Sequence, residues 1–180
     1  IRSVVTLVFL MFMIFQATRH MSLLIVQTFI TTYMHDQIGL TIAEASFVYG
    51  FSSLIGVVAA PIGGYLSDRF GDRRWLMAAV GFSAASLMLS AFSPTTFVFS
   101  FLYCLSGFFN ASTMGAGTSI IARLTPSSRR GLGYALYFLP ASISGVAAPI
   151  IGAYAADAFG LWSIIPLSAT ITTLSLIMLK

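Results

Sequence analysis

An arginine lies in the middle of the first long apolar segment, and its side chain needs a physical explanation. Residues 4–34 are almost all apolar, and Arg19 stands at the centre of the run. If the run is a helix across a membrane, Arg19 is roughly 22 Å from either end. An arginine at that depth costs about 2.5–3.5 kcal/mol on insertion scales. Arg19 therefore predicts either a compensating partner or a water-filled cavity.

The sequence offers no carboxylate at the depth of Arg19. Its acidic residues all fall near the ends of apolar segments: Asp36, Glu44, Asp68, Asp72 and Asp157. The partner of Arg19 is then water, an anionic group of a substrate, or an acid on a segment outside this sequence. The alternative is a purely structural tie to a neighbouring helix, with no contact to a substrate.

Further polar residues accompany Arg19 at helical spacing. One face of the same segment carries Gln16, His20, Leu23, Gln27 and Thr31, with Arg19 at its edge. An unperturbed histidine titrates near neutral pH, so His20 is either a carrier of a coupling proton or a neutral hydrogen-bonding residue.

A second polar stripe runs along the fourth apolar segment. It consists of Tyr103, Ser106, Gly107, Asn110, Thr113 and Gly117. Asn110 is near the middle of its segment, where an amide needs hydrogen-bond partners. The stripe either lines a cavity shared with the first segment or bonds helices to one another. We predict a substrate cavity formed by Arg19, His20, Gln16, Gln27, Tyr103 and Asn110.

The composition requires lipid around most side chains. The 180 residues are 58% hydrophobic and only 8% charged, which a soluble domain of this length could not bury. Six apolar segments lie at about residues 4–34, 42–67, 75–93, 96–123, 129–157 and 161–179. Thr41 and Glu44 form a capping-box pattern at the start of the second segment. We predict an all-α membrane protein with six transmembrane helices in one bundle, residues 1–180.

Two stretches of the sequence repeat each other. Residues 56–71 (GVVAAPIGGYLSDRFG) and 145–160 (GVAAPIIGAYAADAFG) agree at nine of sixteen positions at an offset of 89. Three spans between the copies would place them on opposite sides of the bilayer. The chain is therefore predicted to be a 3+3 inverted-topology repeat, with units at about 1–92 and 93–180.

The basic residues predict the orientation. If the chain crosses the membrane six times, eight of its nine lysines and arginines fall on the same side of the membrane: Arg2, Arg69, Arg73, Arg74, Arg123, Arg129, Arg130 and Lys180. By the positive-inside rule both termini are cytoplasmic, in a protein integral to the cell membrane. The formal net charge of +4 is then an orientation signal, and we expect no nucleic-acid partner.

The sequence lacks the motifs typical of nucleotide binding, metal binding and nucleophilic catalysis. No Gly-Lys-Ser/Thr run indicates nucleotide binding, and two histidines with the single Cys104 are too scattered for a metal site. No nucleophile–base pair occurs at a recognisable spacing. We expect a protein that is not an enzyme and that uses neither a cofactor nor a metal.

The segment that follows the second apolar run resembles the loop signature of the major facilitator superfamily. The matching residues are Gly64, Asp68, Arg69, Gly71, Arg73 and Arg74. The resemblance implies a cytoplasmic gate that latches two halves of a transporter and does not bind substrate. Asp72 departs from the pattern, which usually has a basic residue there, and so weakens the local positive charge and softens the latch. A solvated basic loop would explain the arginines, although it would leave Asp68 and both glycines unexplained.

Members of this family have two halves and about twelve helices, so the chain resembles one six-helix half. Tyr103 stands four residues before Gly107, where an N-terminal half often has arginine, which favours the C-terminal half. The implied function is half of a secondary transporter that moves a small solute by alternating access, completed by the missing half or a second copy. The alternative is a non-transporting membrane scaffold or receptor on the same fold.

Overall fold

The computed structural model describes residues 7–127 and 130–179 and places them in six α-helices. The helices are α1 (Leu7–Asp36), α2 (Ile42–Phe70), α3 (Asp72–Ser90), α4 (Thr96–Leu124), α5 (Arg130–Phe159) and α6 (Ile164–Ser175). Short 3-10 turns at Leu161–Ser163 and Leu176–Leu179 flank α6. The all-helical prediction is confirmed. Three basic residues used for the orientation, Arg2, Arg129 and Lys180, lie outside the described residues.

The prediction of six apolar spans needs one correction, at α3. Within the described residues, five helical segments are long and apolar enough to cross a membrane, and α3 is not among them. This 19-residue helix begins with Asp72, Arg73 and Arg74 and buries serines further along, including Ser83 and Ser90. The helix predicted at 75–93 therefore exists, but it starts earlier and is more polar than its apolar core indicates.

Local sequence signals fix the ends of α2 and α5. The capping box is present: the Glu44 N–H donates to Thr41 Oγ1 (3.3 Å), and the Thr41 N–H donates to Glu44 Oε2 (2.9 Å). At the other end, Gly71 has φ 91°, and Gly160, at the matching place after α5, has φ 87°. Only glycine adopts this left-handed backbone without steric cost, so both glycines stop a helix and turn the chain.

The helices pack in a regular set of pairs. The most extensive contacts join α2 and α3 to α4, followed by those that join α5 and α6 to α1. Glycines permit the α2–α4 and α1–α5 contacts. A Cβ at Gly63 would overlap the Ser112 backbone of α4, and one at Gly152 would lie 2.5 Å from Phe29 Cε2 of α1. Small residues at these crossings let the helix backbones approach closely.

The outer faces of α2 and α5 are apolar and exposed. Phe47, Val57, Val146 and Tyr154 each expose about 70% of their surface (71%, 69%, 70% and 75%). Contiguous apolar surface of this kind suits lipid or another protein surface and does not suit water. The chain is an integral membrane protein, and the outer faces of α2 and α5 present apolar side chains to its surroundings.

Candidate functional site

A cavity of about 180 Å³ lies among the inner faces of the helices. Four residues of the predicted substrate cavity line it: Arg19 and Gln27 from α1, and Tyr103 and Asn110 from α4. Hydroxyl groups from other helices, such as those of Ser52 and Thr172, complete the polar wall. Members of both stripes singled out in the sequence therefore line one shared space.

Arg19 is held by neutral oxygens in this cavity. Its Nη1 donates to Asn110 Oδ1 (2.7 Å) and to Thr113 Oγ1 (2.8 Å). Its Nε is buried and has no hydrogen-bond partner among the described residues. All five carboxylates of the sequence are described, and each lies within three residues of a helix end. The guanidinium charge is thus solvated by amide and hydroxyl dipoles, with no carboxylate of the described chain paired to it.

Gln16 lies outside the cavity wall. It is buried between α1 and α5, where its Nε2 donates to the hydroxyl of Tyr137 (2.9 Å) and its Oε1 has no partner in the described chain. Gly117 of α4 makes room for that hydroxyl, since a Cβ there would lie 2.6 Å from Tyr137 Oη. Tyr137 was missed in the sequence because it sits in an apolar run. Its one signal is that a buried tyrosine hydroxyl needs a partner.

The cavity-facing side of α1 is rotated from the one that the sequence indicated. It comprises Arg19, Ser22, Leu23, Val26 and Gln27, so Arg19 is a central member of the face. His20 is half-buried beside it, contributes nothing to the cavity wall and makes no hydrogen bond with a described residue. The sequence-based prediction counted Gln16 as part of the cavity-facing side because it is polar. Its amide instead bonds α1 to α5 through Tyr137.

Hydroxyl groups join neighbouring helices beside the cavity. Ser83 of α3 donates to the Ser106 carbonyl of α4 (3.0 Å). Ser22 of α1 donates to the Ser168 carbonyl of α6 (2.6 Å) and also contacts Thr172 Oγ1 (2.6 Å). These two hydroxyl seams, Ser83–Ser106 and Ser22–Ser168–Thr172, hold the cavity helices against α3 and α6.

The predicted gate motif occupies the turn between α2 and α3. The side chains of Asp68, Arg69, Arg73 and Arg74 are exposed there, while Gly64 and Gly71 are the motif's glycines. The Arg69 guanidinium lies 5.7 Å from the centre of the Phe70 ring. The motif thus forms a charged surface at one end of the bundle, far along α2 from the cavity.

Asp72 has a structural role that the sequence did not reveal. Its side chain is only 6% exposed. Ser67 donates to Oδ1 (2.5 Å), Ser119 donates to Oδ2 (2.8 Å), and Arg123 Nη2 lies 3.1 Å from Oδ2. The carboxylate therefore ties α2, α3 and α4 together, and Arg123 of the same chain compensates its charge.

Comparison with known proteins gives a consistent family match. The model of the Major Facilitator Superfamily matches residues 4–179. The probable multidrug resistance protein EmrY of Escherichia coli (strain K12) is 26% identical over 148 residues, which are 79% of this chain and 29% of that protein. The sphingosine-1-phosphate transporter SPNS2 of Danio rerio is 31% identical over 108 residues, or 59% of this chain and 21% of that one. The chain thus spans less than a third of these relatives.

Solved structures show the same fold. The peptide transporter POT in complex with sulfate superposes with a TM-score of 0.85 at 16% identity, covering 95% of this chain and 36% of that one. A bacterial homologue of the iron transporter ferroportin, in its inward-facing state, gives 0.79 at 18% identity, covering 97% and 45%. At these identities the likeness concerns the fold alone.

Proposed function

Because this chain belongs to the major facilitator superfamily, we propose that it forms one six-helix half of a secondary transporter for a small solute with an anionic group. One observation carries the anionic part of the proposal: Arg19 lines the central cavity and meets only neutral oxygens. A membrane-buried charge is usually functional because it is costly to keep. The proposed role of Arg19 is to hold the anion of the solute.

The contacts of Arg19 leave donors for such a group. A guanidinium has five N–H donors in a rigid fork that matches carboxylate and phosphate oxygens. Nη1 is engaged by Asn110 and Thr113, whereas neither Nη2 nor the buried Nε has a hydrogen-bond partner in the described chain. The relatives differ in the cargo that their names give, from drugs to a lipid phosphate. The proposal for the solute therefore rests on Arg19, with Gln27, Tyr103 and Asn110 as hydrogen-bonding neighbours.

Uptake into proteoliposomes by the intact protein tests this role. Solutes are paired by size, each carboxylate or phosphate compound beside a neutral amide or alcohol. Arg19→Gln is expected to reduce transport of the anionic member about tenfold to a hundredfold, since it removes charged hydrogen bonds worth about 1.5–3 kcal/mol. Arg130→Gln, which removes an exposed charge at the start of α5, is the matched control. A folded Arg19→Gln protein with unchanged rate and affinity would refute the proposal.

An acid in the second half is the competing partner for Arg19. Such a carboxylate would neutralise the guanidinium without any solute. In that case Arg19→Gln would impair folding or gating equally for neutral and anionic solutes. Selective loss of the anionic solutes supports the cargo role, and equal loss supports the internal acid.

Alternating access is proposed together with the predicted inverted repeat, which the helix contacts and the residue spacing support. Exchanging the first three helices with the last three converts the α2–α4 contact into α5–α1, and α3–α4 into α6–α1. The left-handed glycines Gly71 and Gly160 are 89 residues apart, as are Ser83 and Thr172 in the two hydroxyl seams. If the units are inverted, labelled cysteines at 68 and 157 must face opposite compartments. Labelling from the same compartment would exclude the repeat.

The remaining partners and the orientation follow from this proposal. A second half, or a second copy of the chain, would close the cavity, and Tyr103 four residues before Gly107 favours the C-terminal half. The basic residues favour cytoplasmic termini in the cell membrane. Asp68, Arg69, Arg73 and Arg74 would then act at a cytoplasmic gate between the halves.

A non-transporting scaffold or receptor is the weaker alternative, because both named relatives and the superposed structures are described as transporters or resistance proteins. Cysteine accessibility separates the two functions. Cys104 lines an apolar hollow between α2 and α4, away from the cavity, so the probe is Gln27→Cys in a Cys104→Ser background. A transporter exposes this cysteine to each side in turn, whereas a scaffold exposes it to one side at most.

A further inference from the structure

The central cavity extends along the helices well beyond the guanidinium of Arg19. On α4, Tyr103 lies seven residues before Asn110, the acceptor of Arg19, and both residues line the cavity. Seven residues of α-helix span about 10 Å. On α1, Gln27 lies eight residues after Arg19, or about 12 Å along the axis, and lines the same cavity. The cavity wall therefore has polar groups at a second depth, away from the arginine.

Side chains from three helices meet at this second depth, here called the distal end and defined by Gln27, Tyr49 and Tyr103. Tyr49 of α2 and Val26 of α1 pack in one cluster with Tyr103 of α4, and Gln27 directly follows Val26. All three distal residues line the cavity. None of their side chains makes a hydrogen bond with a residue that the structure describes. The distal end thus presents one amide and two phenol groups that are available to a solute.

The chemistry of the distal end suits an uncharged hydrogen-bonding group. Amides and phenols both donate and accept hydrogen bonds, and neither is charged at neutral pH. Among the described residues of the cavity wall, Arg19 is the only one with a formal charge. An ammonium group at the distal end would find no carboxylate there, and a second anion would find no second cation. A hydroxyl group both donates and accepts, so it matches these side chains without needing a counter-charge.

We propose that the solute is a hydroxylated organic acid, with its anionic group on Arg19 and a hydroxyl group on Tyr103 at the distal end. The inference rests on the proposed function, since Arg19 must hold the anion first. Tyr103 is then a specificity-determining residue. A solute with a methyl group in place of the hydroxyl would cover the phenol without bonding to it, and an unpaired polar group in a binding site lowers affinity.

Ligand-induced stabilisation of the intact protein tests the inference. Unbranched carboxylates of three to eight carbons are offered in three forms, with a hydroxyl, a methyl or an ammonium group at the end opposite the carboxylate. The rise in unfolding temperature with solute concentration gives the dissociation constant of each. At the chain length that fits best, the hydroxyl form should bind about threefold to tenfold more tightly than the methyl form, the effect of one hydrogen bond. The ammonium form should bind more weakly than the hydroxyl form.

Single substitutions locate the preference in the cavity. Tyr103→Phe should abolish the preference for the hydroxyl form and leave the affinity for the methyl form unchanged. Tyr33→Phe is the matched control, because Tyr33 belongs to the same buried cluster but does not line the cavity, and it should keep the preference. Arg19→Gln should weaken the hydroxyl and methyl forms alike, which tests the anionic site separately. If Tyr103→Phe fails to fold, Tyr49→Phe replaces it.

Three results would overturn the inference and leave the anionic site intact, provided that Arg19→Gln still weakens binding. Equal affinity for the hydroxyl and methyl forms would show that the solute makes no polar contact at the distal end. Tighter binding of the ammonium form would indicate a carboxylate supplied by the other half. A preference that survives in folded Tyr103→Phe and Tyr49→Phe would have its origin elsewhere. If no carboxylate binds, or Arg19→Gln changes no affinity, the anionic site fails and this inference fails with it.

Discussion

Nη1 of Arg19 lies 2.7 Å from Oδ1 of Asn110, so a charged hydrogen bond joins α1 to α4 near the middle of both helices. The bond explains how an arginine is tolerated at this depth without a carboxylate beside it. The amide oxygen supplies a dipole to the charge, and Thr113 supplies a second. Asn110 therefore orients the cation that the proposed solute would meet.

Asn110→Leu should destabilise the folded protein by about 1.5–3 kcal/mol, because the buried guanidinium loses its amide acceptor. Thermal unfolding in detergent micelles measures the change. Thr118→Val is the control, since the Thr118 hydroxyl bonds only to carbonyls of its own helix among the described residues. Equal stability of the two variants would show that Asn110 does not stabilise the buried Arg19 guanidinium.

The Gln16–Tyr137 hydrogen bond should appear as a coupling energy between α1 and α5. Tyr137→Phe leaves the buried Gln16 amide without its acceptor, and Gln16→Leu leaves the tyrosine hydroxyl without its donor. The double variant removes the donor and the acceptor together. Its loss of unfolding free energy should therefore be smaller than the sum of the losses in the two single variants. A double-mutant cycle of unfolding free energies should give a coupling of about 1 kcal/mol. Strict additivity would contradict the contact.

The two members of the Asp72–Arg123 pair should differ in importance. Asp72→Ala removes the common acceptor of Ser67, Ser119 and Arg123, and we expect a loss of about 2–3 kcal/mol. Arg123→Gln removes a largely exposed partner, and because water screens that side chain the loss should stay below about 1 kcal/mol. Unfolding in detergent compares them. An equal or larger effect of Arg123→Gln would show that Arg123 contributes more than Asp72 to the stability of the contact among α2, α3 and α4.

Gly63 in α2 and Gly145 in α5 should respond differently to replacement by alanine. Gly63→Ala places a methyl group against the Ser112 backbone, which cannot move aside as a side chain can, so a loss of about 1–3 kcal/mol is expected. A Cβ at Gly145 meets nothing within 4 Å, so Gly145→Ala should stay within about 0.5 kcal/mol. Both variants are compared with the wild-type protein by thermal unfolding and by the yield of folded protein. Similar behaviour would mean that α2 and α4 are not in close contact at Gly63.

Local signals were enough to predict most of the helices. The segment predicted at 42–67 corresponds to Ile42–Phe70, and that at 96–123 corresponds to Thr96–Leu124. Capping residues at Thr41 and Thr95 mark both starts through hydrogen bonds within one turn. The start of α3 was misplaced because the apolar pattern begins at Trp75, whereas the backbone turns at Gly71 and the charged first turn is already helical.

The contacts of the site were only partly predictable. Mid-segment depth was enough to single out Arg19 and Asn110 as inward-facing polar residues. Helical periodicity states which residues share a face, but it does not state which neighbouring helix that face meets. Gln16 therefore seemed to belong with Arg19, although its partner Tyr137 is 121 residues away on α5. The inward role of Asp72 was hidden for the same reason, since Ser119 and Arg123 come from another helix.

The hydroxyl seams at Ser83–Ser106 and Ser22–Thr172 bear on how this bundle can move. A hydroxyl group rotates about a single bond and both donates and accepts, so it can exchange one oxygen for another a short distance along the neighbouring helix. Large interdigitated side chains would have to lose their packing contacts for the same displacement. These boundaries therefore resist separation yet tolerate lengthwise sliding, the shear type of rearrangement by which packed helices shift without parting.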